Sequence, residues 1–220
     1  GHALGHNILG DEASLSNISP ADGISFMQNF YTQTNMVFFF SGKTDFKRVI
    51  KTVQSATEGI RTNRVEFVRE SPSQLIRFDK HEECNNYQSH AIIGGGCCSL
   101  FDTNRFSLFL LNNIVGGPGM NSLLNVALRE KRGYVYNVEA NVTNYTDTGL
   151  FTIYFGTDRK NVNRCFTIIR KELNKLKQRE LSSLRLNDAK RQYIGQLAIG
   201  REIRENLAVA SGKSLLRYNR

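Results

Sequence analysis

The chain has no tryptophan, 3 prolines and 4 cysteines among 220 residues, and each shortage narrows what it can be. So little proline, beside 40% hydrophobic and 22% charged residues, excludes a low-complexity or intrinsically disordered segment and leaves an ordinary globular chain able to bury a core. Cys84, Cys97, Cys98 and Cys165 form no CxxC pair and no regular framework, which argues against a disulfide scaffold. They read as buried thiols. Cys97 and Cys98, adjacent on a strand, would point to opposite faces, so neither is placed to bridge the other. That usage favours a reducing, cytoplasmic compartment. No stretch of about 18 apolar residues exists, so no membrane-spanning helix is encoded, and the start lacks the charged, apolar and small-residue order of a secretion signal.

Charge is present but uneven. The net charge is +9, yet residues 158–220 hold 16 Lys and Arg against 6 Asp and Glu, so residues 1–157 carry a slight negative excess. A basic end of this kind attracts nucleic acid, anionic surfaces or acidic peptides. Aromatic residues are too few among these charges to form a base-stacking platform, and the region reads as the solvated faces of long helices, which disfavours nucleic acid as a partner. SGKT at residues 41–44 follows an apolar run and opens a helix as a phosphate-binding loop would, but Val37 stands where that loop needs glycine; SGKS at 211–214 has Leu207 there. His2 and His6 lack the helix and the following Glu of a metal pair. His81, Cys84, His90, Cys97 and Cys98 are a better-stocked set, yet strand alternation scatters them over two faces. Neither a cofactor-binding nor a metal site is expected in these residues.

Local signals divide the rest. Ser19-Pro20-Ala21-Asp22 predicts a capped helix running to about Tyr31. MVFFF, residues 36–40, ends at Ser41-Gly42 and predicts a strand buried on both faces. Thr44 would cap a second helix whose apolar side is Phe46, Val49, Ile50, Val53 and Ala56. Mixed charge and Pro72 mark a connector, and strands are expected at residues 74–79 and in YQSHAIIGGGCC. Asp102 or Thr103 would cap a helix bearing Phe106, Phe109, Leu110 and Ile114, broken by GGPG at 116–119. Asp147-Thr148-Gly149 turns a hairpin into a strand carrying Phe151, Ile153 and Phe155. Val162, Cys165, Phe166, Ile169, Leu173 and Leu176 stripe one helix, and two more, at about 184–199 and 201–218, close the chain. Strands gathered into hairpins and helices into pairs favour an α+β class, an antiparallel sheet with helices packed on it.

LREKRGYVYNV, residues 128–138, raises the functional question. Leu123, Leu124, Ala127 and Leu128 fall at helical spacing, so Arg129 to Arg132 would be a last turn whose cations suit the carbonyl end of the helix dipole. Gly133 can take the left-handed conformation that stops a helix. Tyr136, Val138, Ala140 and Val142 then alternate as a half-buried strand. The residues alone leave Arg129 as either a helix-end cation or a ligand contact, and Tyr136 as either a strand aromatic or a hydrogen-bonding partner.

The order of the pieces narrows the choice. VGGPGMNSLLNVALREKRGYVYNVEA, followed by TDTGLFTIYFGTD, resembles the second half of an M16 (insulinase and mitochondrial processing peptidase-like) zinc peptidase subunit: a glycine-rich turn, an S-R-L helix start, an LRE-x-x-G-x-x-Y block and a strand opened by Asp-x-Gly, in that order. ALGHNILGDEASLSNISPADGISFMQNFYTQTNMVFFFSGKTD resembles the tail of that family's first half. The resemblance implies a remnant of the N-terminal domain at residues 1–60, a connector at 61–72 and the C-terminal domain at 73–220. It implies that Arg129 and Tyr136 reach a bound peptide substrate, with Gly116, Gly117 and Gly119 approaching the peptide backbone. It also implies zinc elsewhere, in a missing N-terminal half or a zinc-bearing partner subunit, because the family's catalytic HxxEH motif does not occur in this sequence. On this reading the fragment is the substrate-gripping part of a zinc metalloendopeptidase, inactive alone; the alternative is a non-catalytic Arg/Tyr subunit acting as a binding and assembly module. The cysteine usage favours a cytoplasmic compartment, and a periplasmic one stays open for the parent. Truncation would leave the 36–40 strand with an apolar edge, to be covered by another copy or a displaced segment. Ser122-Leu123-Leu124 departs from S-R-L, and the customary cation is missing.

Overall fold

The structure, a computed structural model, describes residues 2–63, 70–72 and 76–218. It divides into two compact units: residues 70–195, and residues 1–69 together with 196–220.

The unit of residues 70–195 is built on three antiparallel strands, β1 (Ser89–Cys97), β2 (Val135–Asn144) and β3 (Gly149–Thr157), in the order β1-β3-β2. β2 and β3 form the hairpin expected around Asp147-Thr148-Gly149. The register lines up Ala91, Phe155 and Val138 on one rung and Ile93, Ile153 and Ala140 on the next. Because side chains alternate across a sheet, these rungs all face one way, and that face is covered. Helix α4 (Arg105–Gly116) supplies Val115, the segment after the glycine turn supplies Leu124 and Leu128, and helix α5 (Val162–Gln178) supplies Cys165 and Ile169. Phe155 is sealed in the middle, its ring meeting the edge of Phe166 at a centroid distance of 5.3 Å. The other face, with Ile92, Tyr154 and Glu139 on one rung, carries exposed Ile92 and Glu139. This is the antiparallel sheet with packed helices that the sequence predicts.

In the other unit, helix α1 (Glu12–Ser16) is capped by Asp11, and α2 (Pro20–Phe30) carries a full capping box between Ser19 and Asp22. Asp45, not Thr44, caps α3 (Phe46–Ala56), accepting from the Lys47 amide at 3.2 Å. Helix α6 (Ser183–Glu202) contains the division between the units, and α7 (Arg204–Tyr218) ends the described chain.

Three expectations are corrected. Residues 36–40 form no strand; no described strand takes their backbone hydrogen bonds, and an apolar run signals burial without supplying a pairing partner. The sheet edge that another copy would have covered is therefore absent, and Phe38, Phe39 and Phe40 are exposed instead. Of the strand expected at 74–79, residues 74–75 lie outside the described set and residues 76–79 are not in a strand. The helix before Gly133 is not a regular α-helix: Asn125–Glu130 is π-helical, and Lys131 and Arg132 lie beyond it.

Candidate functional site

Arg129 and Tyr136 stand on the two sides of the Gly133 stop, and the backbone is irregular at both. Around Arg129 the π turn widens the hydrogen-bond register: the Lys131 amide donates to the Val126 carbonyl, five residues back, at 3.1 Å. Single π turns within helices are frequent at functional sites. Gly133 has φ +60°, and its amide closes the helix end on the Arg129 carbonyl at 2.8 Å. The Arg132 guanidinium donates to the Ala127 carbonyl at 2.6 Å, so the helix-end duty of a cation falls to Arg132. Arg129 is left with Glu130, whose Oε1 lies 3.8 Å from Nε on the exposed surface, an ion pair too loose and too wet to commit the guanidinium.

Tyr136 occupies a β-bulge. Val135 pairs with Thr157 and Asn137 with Gly156, so Tyr136 is the extra residue between two consecutive rungs. The bulge corrects the alternation read from the sequence. Val135 takes the buried position along with Val138 and Ala140, and Tyr136 turns outward, 58% exposed. Its hydroxyl donates to Asp158 Oδ1 at 2.9 Å. That hydrogen bond, and then the carboxylate's charge, push the phenol above the ordinary tyrosine range, so it stays protonated through neutral pH.

The glycines sit differently. A Cβ on Gly116 would lie 2.7 Å from the Ala140 nitrogen and 2.8 Å from its Cβ, so this glycine lets the end of α4 touch β2. A Cβ on Gly117 would collide with Asn113 Oδ1 and with the Asn113 carbonyl. Both are buried against their own chain. Gly119 is half-exposed beside Asn121 and Gln192, whose amides exchange hydrogen bonds of 2.9 and 3.1 Å. Leu124, which follows the departure from S-R-L, is fully buried in the core.

Asp158 is the residue the sequence reading passes over. It stands within the quoted FGTD, one residue past β3, and a lone Asp after a strand looks like a cap. Among the described residues no three His, Cys, Asp or Glu side chains converge as a metal ion requires. The cysteines are free thiols: Cys84 is exposed, Cys165 is buried, and burial raises Cys97 and Cys165 above the ordinary thiol range.

Comparison with known proteins supplies the family. Residues 17–193 match the family model described as the peptidase M16 inactive domain. The chain is 27% identical over 221 residues to an uncharacterized zinc protease, YmxG, of Bacillus subtilis, a match covering 98% of this chain and 52% of that protein. It is 26% identical over 138 residues to the mitochondrial-processing peptidase subunit alpha of Pongo abelii, covering 58% of this chain and 26% of that one. The structure of a peptidase M16 inactive domain from Pseudomonas fluorescens superposes with a TM-score of 0.83 at 21% identity, covering 96% of this chain and 50% of that chain, and shows the fold to be shared. The chain thus spans about half the length of relatives such as YmxG. With most of its residues inside the match, and with the turn, helix end and paired strands of the matched segment all in place, the chain belongs to the peptidase M16 family.

Proposed function

We propose that the chain grips an extended peptide through Arg129 and Tyr136, and that the peptide is cut on a zinc-bearing half or partner subunit. The observation that carries this reading is the division of labour at the helix end. Arg132 satisfies the open carbonyl, so the exposed Arg129 guanidinium keeps its fork of donors for another acceptor, while the bulge turns Tyr136 out of the core. Guanidinium donors suit peptide carbonyls or a developing oxyanion. A half-exposed Gly119 remains the one glycine of the turn with backbone near solvent. Zinc does not fit the residues here: the sequence has no HxxEH, and the described His, Cys, Asp and Glu side chains do not converge. No step of bond cleavage is therefore assigned to this chain.

The test uses the full-length protein, zinc-loaded and paired with its partner if it has one, with dye-quenched casein as substrate. Arg129→Ala is expected to lower kcat/KM by at least about 10-fold, and Tyr136→Phe by about 3- to 10-fold. Unchanged turnover in both variants, with circular dichroism unaltered, refutes the gripping role. A second reading is favoured by the similarity to a mitochondrial-processing peptidase subunit alpha, a protein named as one subunit of a peptidase. In that reading the chain's parent binds and assembles without cutting, and casein cleavage by the parent alone, abolished by a chelator, would exclude it.

A further inference from the structure

The structure assigns Asp158 as the positioning residue of this site: its carboxylate accepts the one hydrogen bond the Tyr136 phenol can donate and so fixes the phenol in place. The inference rests on the peptide-gripping reading of Tyr136. It starts from what Asp158 does not do. Asp158 stands at the start of the helical turn Arg159–Asn161, where an aspartate ordinarily caps backbone amides, yet its side chain makes no capping bond. The neighbouring Arg159 is not its counter-ion either, because that guanidinium is held 2.6 Å from Glu83. The carboxylate is spent on the Tyr136 hydroxyl.

The scaffold beneath the pair is clamped from both strands. Thr157, fully buried and immediately before Asp158, pairs with Val135, immediately before Tyr136. Its hydroxyl donates to the Tyr134 carbonyl at 2.5 Å, and the buried Cys165 thiol lies 3.9 Å from that hydroxyl. Tyr136 and Asp158 therefore each follow a fixed residue of the same rung, and the bulge directs the phenol outward next to the carboxylate. A phenol has one hydrogen to donate. With that hydrogen committed to Asp158, the phenol oxygen meets a ligand as an acceptor, suited to a peptide N–H, while Arg129 supplies donors for peptide carbonyls. The two residues would then read opposite halves of the amide group.

The experiment compares wild type, Tyr136→Phe, Asp158→Ala, Asp158→Asn and the Tyr136→Phe/Asp158→Ala double variant, in the full-length zinc-loaded protein or its assembled pair, on dye-quenched casein. Asp158→Ala is expected to lose about 3- to 10-fold in kcat/KM, the reach of one hydrogen bond, and to cost nothing more when Tyr136 is already Phe. Asp158→Asn, whose amide oxygen still accepts, is expected to recover most of the loss. In protein labelled with 13C at tyrosine Cζ, the Tyr136 resonance of Asp158→Asn is expected to titrate at lower pH than in wild type, a change that a merely structural role would not produce. If Tyr136→Phe loses activity while Asp158→Ala and Asp158→Asn do not, the inference falls and the gripping role stands. If the losses of the two single variants multiply in the double variant, Asp158 acts on its own and the inference also falls. If Tyr136→Phe is unchanged, both the gripping role of Tyr136 and the inference fall together.

Discussion

Gly116 and Gly133, both within the matched segment, show how differently the same residue type is used. At Gly116 there is no room: a Cβ there would lie 2.7 Å from the Ala140 backbone nitrogen. At Gly133 there is ample room but a backbone angle of +60° that an L-residue resists. Gly116→Ala must push α4 away from β2 and is expected to cost about 1–3 kcal/mol, whereas Gly133→Ala is expected to cost about 1 kcal/mol from backbone strain alone. Urea denaturation of the two variants checks the order, and an equal or reversed cost would show that α4 yields more readily than this packing implies. The contrast also marks what single residues disclose in advance. Gly133 is legible because a helix stop is a local event, readable from its neighbours in sequence. The outward turn of Tyr136 is not legible in the same way, because the bulge depends on which residues of β3 it is set against, and strand alternation carries no record of an extra residue. Asp158 is hidden for a related reason: its partner lies 22 positions away, and a carboxylate after a strand has a nearer explanation as a cap.

Elements that announce their own ends are legible in the sequence, and those that need a distant partner are not. The capping box of α2, the stripe of α5 and the β2–β3 hairpin each rest on signals within a few residues. MVFFF carried the strongest hydrophobic signal in the first sixty residues, yet hydrophobicity states only that a segment resists water, and without a neighbouring backbone to pair with it makes no strand. The regular element with most at stake is β3, which has a partner on each side and delivers Ile153 and Phe155 to the centre of the core. Truncating Phe155→Ala removes a fully buried ring flanked by Ala91 and Val138 on its rung and by Phe166 from α5. The cost should be about 3–5 kcal/mol, enough to unfold a marginal domain. Ile92, on the opposite face of β1 and 69% exposed, should tolerate truncation to alanine with little loss. Thermal melts of the two variants give the comparison, and equal melting temperatures would mean that the helix-covered face is not where the stability lies.

At the scale of the molecule, stability is expected to be unequal between the two compact units. Every residue of the described hydrophobic core cluster belongs to the unit of residues 70–195. In the other unit, Thr32 is the one described residue that is fully buried, while Ile8, Phe26, Met27 and Phe38 are more than half exposed. Apolar burial is the dominant favourable term in folding, so a unit that withdraws few apolar side chains from water has little to offset the entropy of ordering its helices. Capping at Asp11, Ser19 and Asp45 helps each helix begin, but caps contribute only about 1 kcal/mol apiece. Amides of β3 and α5 should therefore exchange with solvent deuterium only through global unfolding, and amides of α2 and α3 through local opening, several orders of magnitude faster. Exchange followed by mass spectrometry on the isolated chain distinguishes the cases directly. Protection of α2 and α3 equal to that of β3, at a concentration where the chain is monomeric, would mean that the exposed apolar residues of that unit are covered in solution. Protection that appears only at high concentration would mean that a second copy covers them, and the apolar surface of α2 and residues 38–40 would be the first place to look for the contact.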